Sequence, residues 1–254
     1  MIVFLVFLSL FSANFAFECG IPKEGDSPHP WLVRFAYDYT ETRKESKFLI
    51  RKVITEKKRI VCGGVILDES HIITTGGCGP VHGASNEMYT LYVGSNPVKQ
   101  INIGKPEFHS KVFNMIMRLD RPLEFCEDVK PICLSNKNYE PEIGSVLKIA
   151  GWETDEEQRR ILIESVPKFM KFTFGASRTR CRDGNVVVHK PGGVGCSGFE
   201  GGPMMYENEG KWFLYASTFR IGKCNEKRRV STTATEVEDH RQMIQHLTKA
   251  CFIL

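Results

Sequence analysis

Three kinds of side chain could do chemistry here: imidazoles, thiols and a carboxylate flanked by glycines. The seven histidines, His29, His71, His82, His109, His189, His240 and His246, are scattered along the chain. A general base needs a partner within hydrogen-bond reach, and no motif gives any of these one. Glu200 lies in "CSGFEGGP". A glycosidase would pair it with a second carboxylate across the sugar ring, but nothing else in the sequence fits that chemistry. The nine cysteines include no Cys-x-x-Cys and no Cys/His spacing suited to zinc. Metal and cofactor chemistry are therefore not expected.

The elements that must position these residues read as short strands. "WLVRF", "VCGGVIL", "MYTLYVG", "NMIMRL", "SVLKIAGW", "GNVVVH" and "KWFLYASTF" are β-branched or aromatic and separated by Gly, Pro, Asn and charged clusters. Many short strands with turn signals between them imply a sandwich or barrel. "EVEDHRQMIQHLTKA" differs: Val237, Ile244 and Leu247 recur at near-helical spacing behind Glu236, Glu238 and Asp239, acids that suit a helix start. The expectation is an all-β fold closed by one C-terminal helix over about 236–250. At 254 residues with 42% apolar content, the chain can bury a sizeable core.

Residues 1–16, "MIVFLVFLSLFSANFA", are apolar, uncharged and end on a small residue. They read as a signal peptide. No second long apolar run follows, so no transmembrane segment is expected. Secretion makes the cysteines candidates for disulfides, and an odd count leaves one thiol over. No N-x-S/T sequon occurs.

In order along the chain, "HPWLVRF", "CGGVILDESHIITTGGC", "NMIMRLDRPLEF", "VKPICLS", "IAGWE", "CSGFEGGP" and "STFRIGKC" resemble the chymotrypsin/trypsin family of serine proteases. The likeness covers nearly all of residues 17–254. It implies two six-stranded antiparallel β-barrels, the first over about 30–130 and the second over about 135–235, with a cleft between them. It also implies the disulfides Cys62–Cys78, Cys196–Cys224 and Cys19–Cys133. Cys126, Cys181 and Cys251 remain with their pairing open. One arrangement is an extra Cys126–Cys251 bridge with Cys181, which resembles one survivor of the family's second-barrel pair, as the odd thiol. The family often carries another bridge whose two positions here are Leu147 and Tyr206; both partners are gone together.

The departures from the family bear on chemistry. Its mechanism needs a hydroxyl nucleophile, an imidazole and a carboxylate that orients the imidazole. The matching positions hold Glu200, Gly77 and Asn114. Glycine cannot move a proton, asparagine carries no charge, and a glutamate beside an oxyanion hole would repel the oxyanion. The family's activation Asp is replaced by Phe199, and Arg220 stands where a small residue usually opens the primary pocket. The Arg-Ile-Val-Gly-Gly activation site is absent before Trp31. "RIVCGG" at Arg59–Gly64 belongs to the later strand.

The formal net charge is +4. The segment Arg43–Arg59 carries eight basic residues, Arg43, Lys44, Lys47, Arg51, Lys52, Lys57, Lys58 and Arg59, against two Glu. That is +6, so the remainder sums to −2. This segment lengthens a loop that flanks the cleft in the family. Two readings stand side by side. One is an exosite for sulfated glycan, acidic protein or anionic membrane. The other is a solvated edge hairpin whose lysines block pairing. No base-stacking motif points to nucleic acid. The expected function is a secreted, inactive protease homologue that binds extracellular proteins such as active proteases, inhibitors or a receptor. The alternatives are a cationic glycan binder and a residual hydrolase using Glu200.

Overall fold

Phe35, Tyr37 and Tyr39 recur at every second position and so share one face of a strand. That face fills the first of two curled sheets. The computed structural model describes residues 18–24, 29–47, 50–80, 85–94, 99–104, 106–111, 114–134, 141–142, 144–152, 161–172, 185–190, 200–221, 230–236 and 241–250.

The first sheet contains β1 (Leu32–Lys47), β2 (Ile50–Ile66), β3 (His71–Thr75), β4 (Ser85–Val93), β5 (Lys99–Ile103), β6 (Glu107–Lys111) and β7 (Asn114–Arg118). Their order is β5-β4-β1-β2-β3-β7-β6, and every pairing is antiparallel. The two edge strands, β5 and β6, follow each other in the chain with only residues 104–106 between them. The sheet therefore curls until its edges nearly meet. Seven segments appear where six strands are expected because one strand is broken. Pro106, which has no N–H to donate, lies at the break.

The second sheet contains β8 (Cys133–Leu134), β9 (Val146–Trp152), β10 (Ile161–Phe172), β11 (Asn185–Lys190), β12 (Pro203–Asn208), β13 (Lys211–Ile221) and β14 (Val230–Glu236). Its order is β12-β9-β10-β11-β14-β13-β8, and β12 also pairs with β13. That extra pairing closes six strands into a barrel. β8 adds to β13 in parallel, with Cys133 opposite Phe213. The all-β expectation of two six-stranded barrels is met.

The helix is shorter than the sequence pattern implies. α1 spans Arg241–Leu247, not 236–250. Glu236 is the last residue of β14 and pairs with Ala216; the ladder claims it before a helix can. Val237, Glu238, Asp239 and His240 lie outside the described residues. Ile244 is fully buried and joins the core around the first barrel. Lys249 N–H, just past the helix, donates to Asp68 at 2.6 Å. The same carboxylate accepts from Ser70 N–H at 2.8 Å and lies 2.8 Å from His71 Nδ1.

The start of the described chain is fastened to the interbarrel connector. A Cys19–Cys133 disulfide closes it, as the resemblance implies. Gly20 donates to Pro131 O at 2.9 Å and accepts from Trp212 N–H at 2.8 Å. Its φ of 69° and its closeness to the Cys133 sulfur leave no room for a side chain. Cys126 sits in a turn closed by hydrogen bonds to and from Val129 and is an exposed free thiol. Cys251, its expected partner, lies outside the described residues. Among the described residues, no helix is long and apolar enough to cross a membrane. The leader at 1–16 also falls outside them.

Candidate functional site

The site forms where the two barrels meet. β3 ends at Thr75 and runs into a single 3-10 turn, Gly76–Cys78. The Cys62–Cys78 disulfide ties this turn to β2, and the Tyr37 hydroxyl donates to Gly79 O. The turn is thus pinned from two sides. Gly77, at its centre, is exposed. A Cβ built there would meet nothing within 4 Å, and its φ is not left-handed. Neither space nor backbone requires glycine at this position.

Asn114 opens β7, stands opposite Thr75 in the register, and is fully buried. Its side-chain oxygen accepts a hydrogen bond from the Ser217 hydroxyl of β13. The pair spans the two barrels. Ser217 is also fully buried, so its oxygen is a donor held in the core and not a presented nucleophile.

Glu200 lies on the turn into β12 and is exposed. Its carbonyl accepts from Gly63 N–H of β2 at 2.7 Å, a second tie between the barrels. Gly201 follows with φ 79°. A side chain there would strike the Thr74 hydroxyl and the Gly63 carbonyl, so this glycine is needed for the close approach. Thr74 donates to Gly63 O at 2.8 Å, and Thr218 donates to Gly202 O at 3.1 Å. Gly201 N–H donates to Thr218 O at 2.8 Å. The hydroxyls of Thr74, Ser217 and Thr218 are thus all used as structural donors.

The three positions that the resemblance matches to a catalytic triad therefore lie on elements that converge at the barrel junction. As they stand they supply an open glycine, a buried amide and an exposed carboxylate. A proton shuttle needs an imidazole beside the nucleophile. His71 shares β3 with the Gly77 turn but sits at the strand's other end. At about 3.3 Å per residue it lies roughly 13 Å from Thr75, and its Nδ1 is engaged with Asp68. Phe199, Cys181, Cys196, Cys224 and the side chain of Arg220 fall outside the described residues. Among the described residues, no group of three His, Cys, Asp or Glu could hold a metal ion.

Ser217 is not legible in the sequence. A lone serine in a strand carries no motif; only the juxtaposition of β13 with the start of β7 reveals its role. His71 is not isolated: Asp68, three residues earlier in the sequence, is its partner.

The basic segment forms a ribbon. β1 and β2 pair without interruption from Leu32↔Val65 to Lys47↔Ile50. β4 follows β1 only as far as Thr40↔Ser85, and β3 follows β2 only at Val65 and Ile66. Among the described residues, the seven pairs from Glu41↔Glu56 outward therefore project as two strands alone. The side chains of Lys47 and Arg51 are not among those described.

The Trypsin family profile matches residues 39–244. The chain is 24% identical to Phenoloxidase-activating factor 1 of Holotrichia diomphalia over 81% of its own length and 65% of that protein's. It is 25% identical to the snake venom serine protease catroxase-1 of Crotalus atrox over 81% of its own length and 82% of that protein's. Against the serine protease grass of Drosophila melanogaster it is 26% identical over 51% of its length, spanning 38% of that protein. Two barrels with a junction built from the starts of β7 and β12 and the end of β3 define the trypsin-like class of fold. The chain belongs to the trypsin family.

Proposed function

We propose that this chain is a secreted serine protease homologue that has kept the trypsin-like scaffold, does not hydrolyse peptides, and acts by binding other proteins. The observation that carries this reading is Gly77. The turn that should present the base is pinned by a disulfide and a tyrosine hydrogen bond, yet it holds a residue with no side chain and open space above it. Loss of the base alone lowers turnover by about 10⁶ in this mechanism, roughly 8 kcal/mol of barrier. Asn114 removes the charge that would hold an imidazolium, and Glu200 places a carboxylate where a nucleophilic hydroxyl is needed. Two disulfides accord with an oxidising compartment. A relative named as an activating factor accords with a role beside active proteases.

The test is to incubate the purified protein with a mixed peptide library and with a serine-directed covalent probe. The expected outcome is no labelling and no turnover above buffer. Cleavage that disappears in Glu200→Ala would overturn the reading in favour of a hydrolase.

A further inference from the structure

The ribbon sorts its charges by face. In an antiparallel pair, residues directly opposite share a face, and successive residues alternate. One face continues the barrel interior from Phe35 and Tyr37 outward. It carries Tyr39↔Lys58, Glu41↔Glu56, Arg43↔Ile54 and Glu45↔Lys52. All three acids of residues 41–56 lie there. Glu41 and Glu56 are opposite one another, a repulsive arrangement that the flanking bases relieve. Lys58 hydrogen-bonds Glu41 and lies 3.9 Å from Glu56. Arg43 lies 3.5 Å from Glu56 and 3.3 Å from Glu45. Lys58's hydrogen bond to Glu41 holds the ammonium above, and the carboxyl below, its ordinary pKa. Lys58 and Arg43 are thus engaged with acids of their own face.

The other face continues the barrel exterior. Its pairs are Thr40↔Lys57, Thr42↔Thr55, Lys44↔Val53 and Ser46↔Arg51. No acid falls in these four rows. Lys44 and Lys57 are exposed. Rows lie about 7 Å apart along the ribbon, so these two bases, two rows apart, are spaced by about 14 Å. Between them are threonine hydroxyls, with Thr42 and Thr55 3.3 Å apart across the strands. At the inner end Arg59 lies 3.7 Å from Asp38, the first acid that this face meets.

We infer that this outer face, through Lys44 and Lys57, binds a linear sulfated polysaccharide. The charge array is cationic and extended, which suits a polyanion laid along the ribbon. A protein partner would need an apolar centre to its interface, and Val53, 59% exposed, is the one large apolar side chain in the four rows. Sulfates on a chain instead ask for spaced point charges and hydroxyl donors, both of which this face supplies. The surface is separate from the Gly77–Glu200 junction, so the inference stands whether or not that junction turns over peptide.

The experiment compares the full-length protein with two double variants of equal charge loss. Lys44→Gln/Lys57→Gln removes outer-face bases. Arg43→Gln/Lys58→Gln removes inner-face bases that are paired with acids. Binding to a heparin oligosaccharide, fully desulfated heparin, polyglutamate and phosphatidylserine vesicles is measured across a salt series, with far-UV circular dichroism to check the ribbon. The wild type should bind heparin best and lose that binding as salt rises. The outer variant should bind about tenfold more weakly, and the inner variant should match the wild type. Equal weakening in both variants would mean net charge alone, and would overturn the assignment. So would absent heparin binding, binding that survives desulfation, or tighter binding to polyglutamate or vesicles.

Discussion

His29 is buried between Trp31 and Trp212, with ring centroids 5.0 and 4.6 Å away. Neither ring nitrogen has a hydrogen-bond partner among the described residues. Burial, helped by the charge of Lys148, pushes its pKa down from 6.5 to about 4. The unfolded chain therefore binds this proton more readily than the folded one. Stability contributed by neutral His29 is complete above about pH 6.5 and is lost as pH falls toward 4. The shift corresponds to about 3 kcal/mol. Urea unfolding at a series of pH values should show this loss in the wild type. In His29→Phe, which keeps an aromatic ring in the cluster, the slope between pH 6.5 and 4 should flatten. An unchanged slope would mean that other groups carry it.

At the scale of elements, the β1–β2 ribbon departs most from a compact barrel. An isolated two-stranded hairpin is marginal in water, and this one extends about 20 Å past the last row that β4 supports. Ion pairs on its inner face and the Thr42–Thr55 contact hold it together. Exposed pairs contribute little to the stability of the whole. Removing residues 41–56 and joining Thr40 to Lys57 through Asn-Gly should therefore leave the barrel intact, because Asn-Gly suits a two-residue hairpin turn. The Tm should move by less than about 5 °C, with the near-UV spectrum preserved. A cooperative collapse on excision would show that the ribbon is part of the core.

At the scale of the molecule, Asp68 connects parts that lie far apart in sequence. It sits between β2 and β3, engages His71 and Ser70, and receives Lys249 N–H from the segment after α1. With Ile244 in the core, it fastens the chain's end to the first barrel. A buried carboxylate bonded to several donors is costly to remove. Asp68→Ala should lower stability by about 3 kcal/mol, and Asp68→Asn, which retains an acceptor oxygen, by less. Amide exchange in residues 241–250 should quicken in both variants. If exchange there is unaffected while global stability falls, Asp68 orders only its own turn.

What the sequence determined by itself was the architecture and the identity of the residues at each site position. Strand length, alternation and the ordered string of motifs are local properties, and local properties survive in one dimension. The Cys62–Cys78 and Cys19–Cys133 bridges followed from the same motif order. Tertiary structure decided what depends on where separate strands meet. It set Ser217 against Asn114, ended β14 at Glu236 in place of an earlier helix start, and left Cys126 in a solvent-facing turn. Above all, it converted one run of eight bases into two unlike faces. Composition records how many charges a segment holds, but only the pairing register fixes which of them neutralise one another and which remain exposed to a partner.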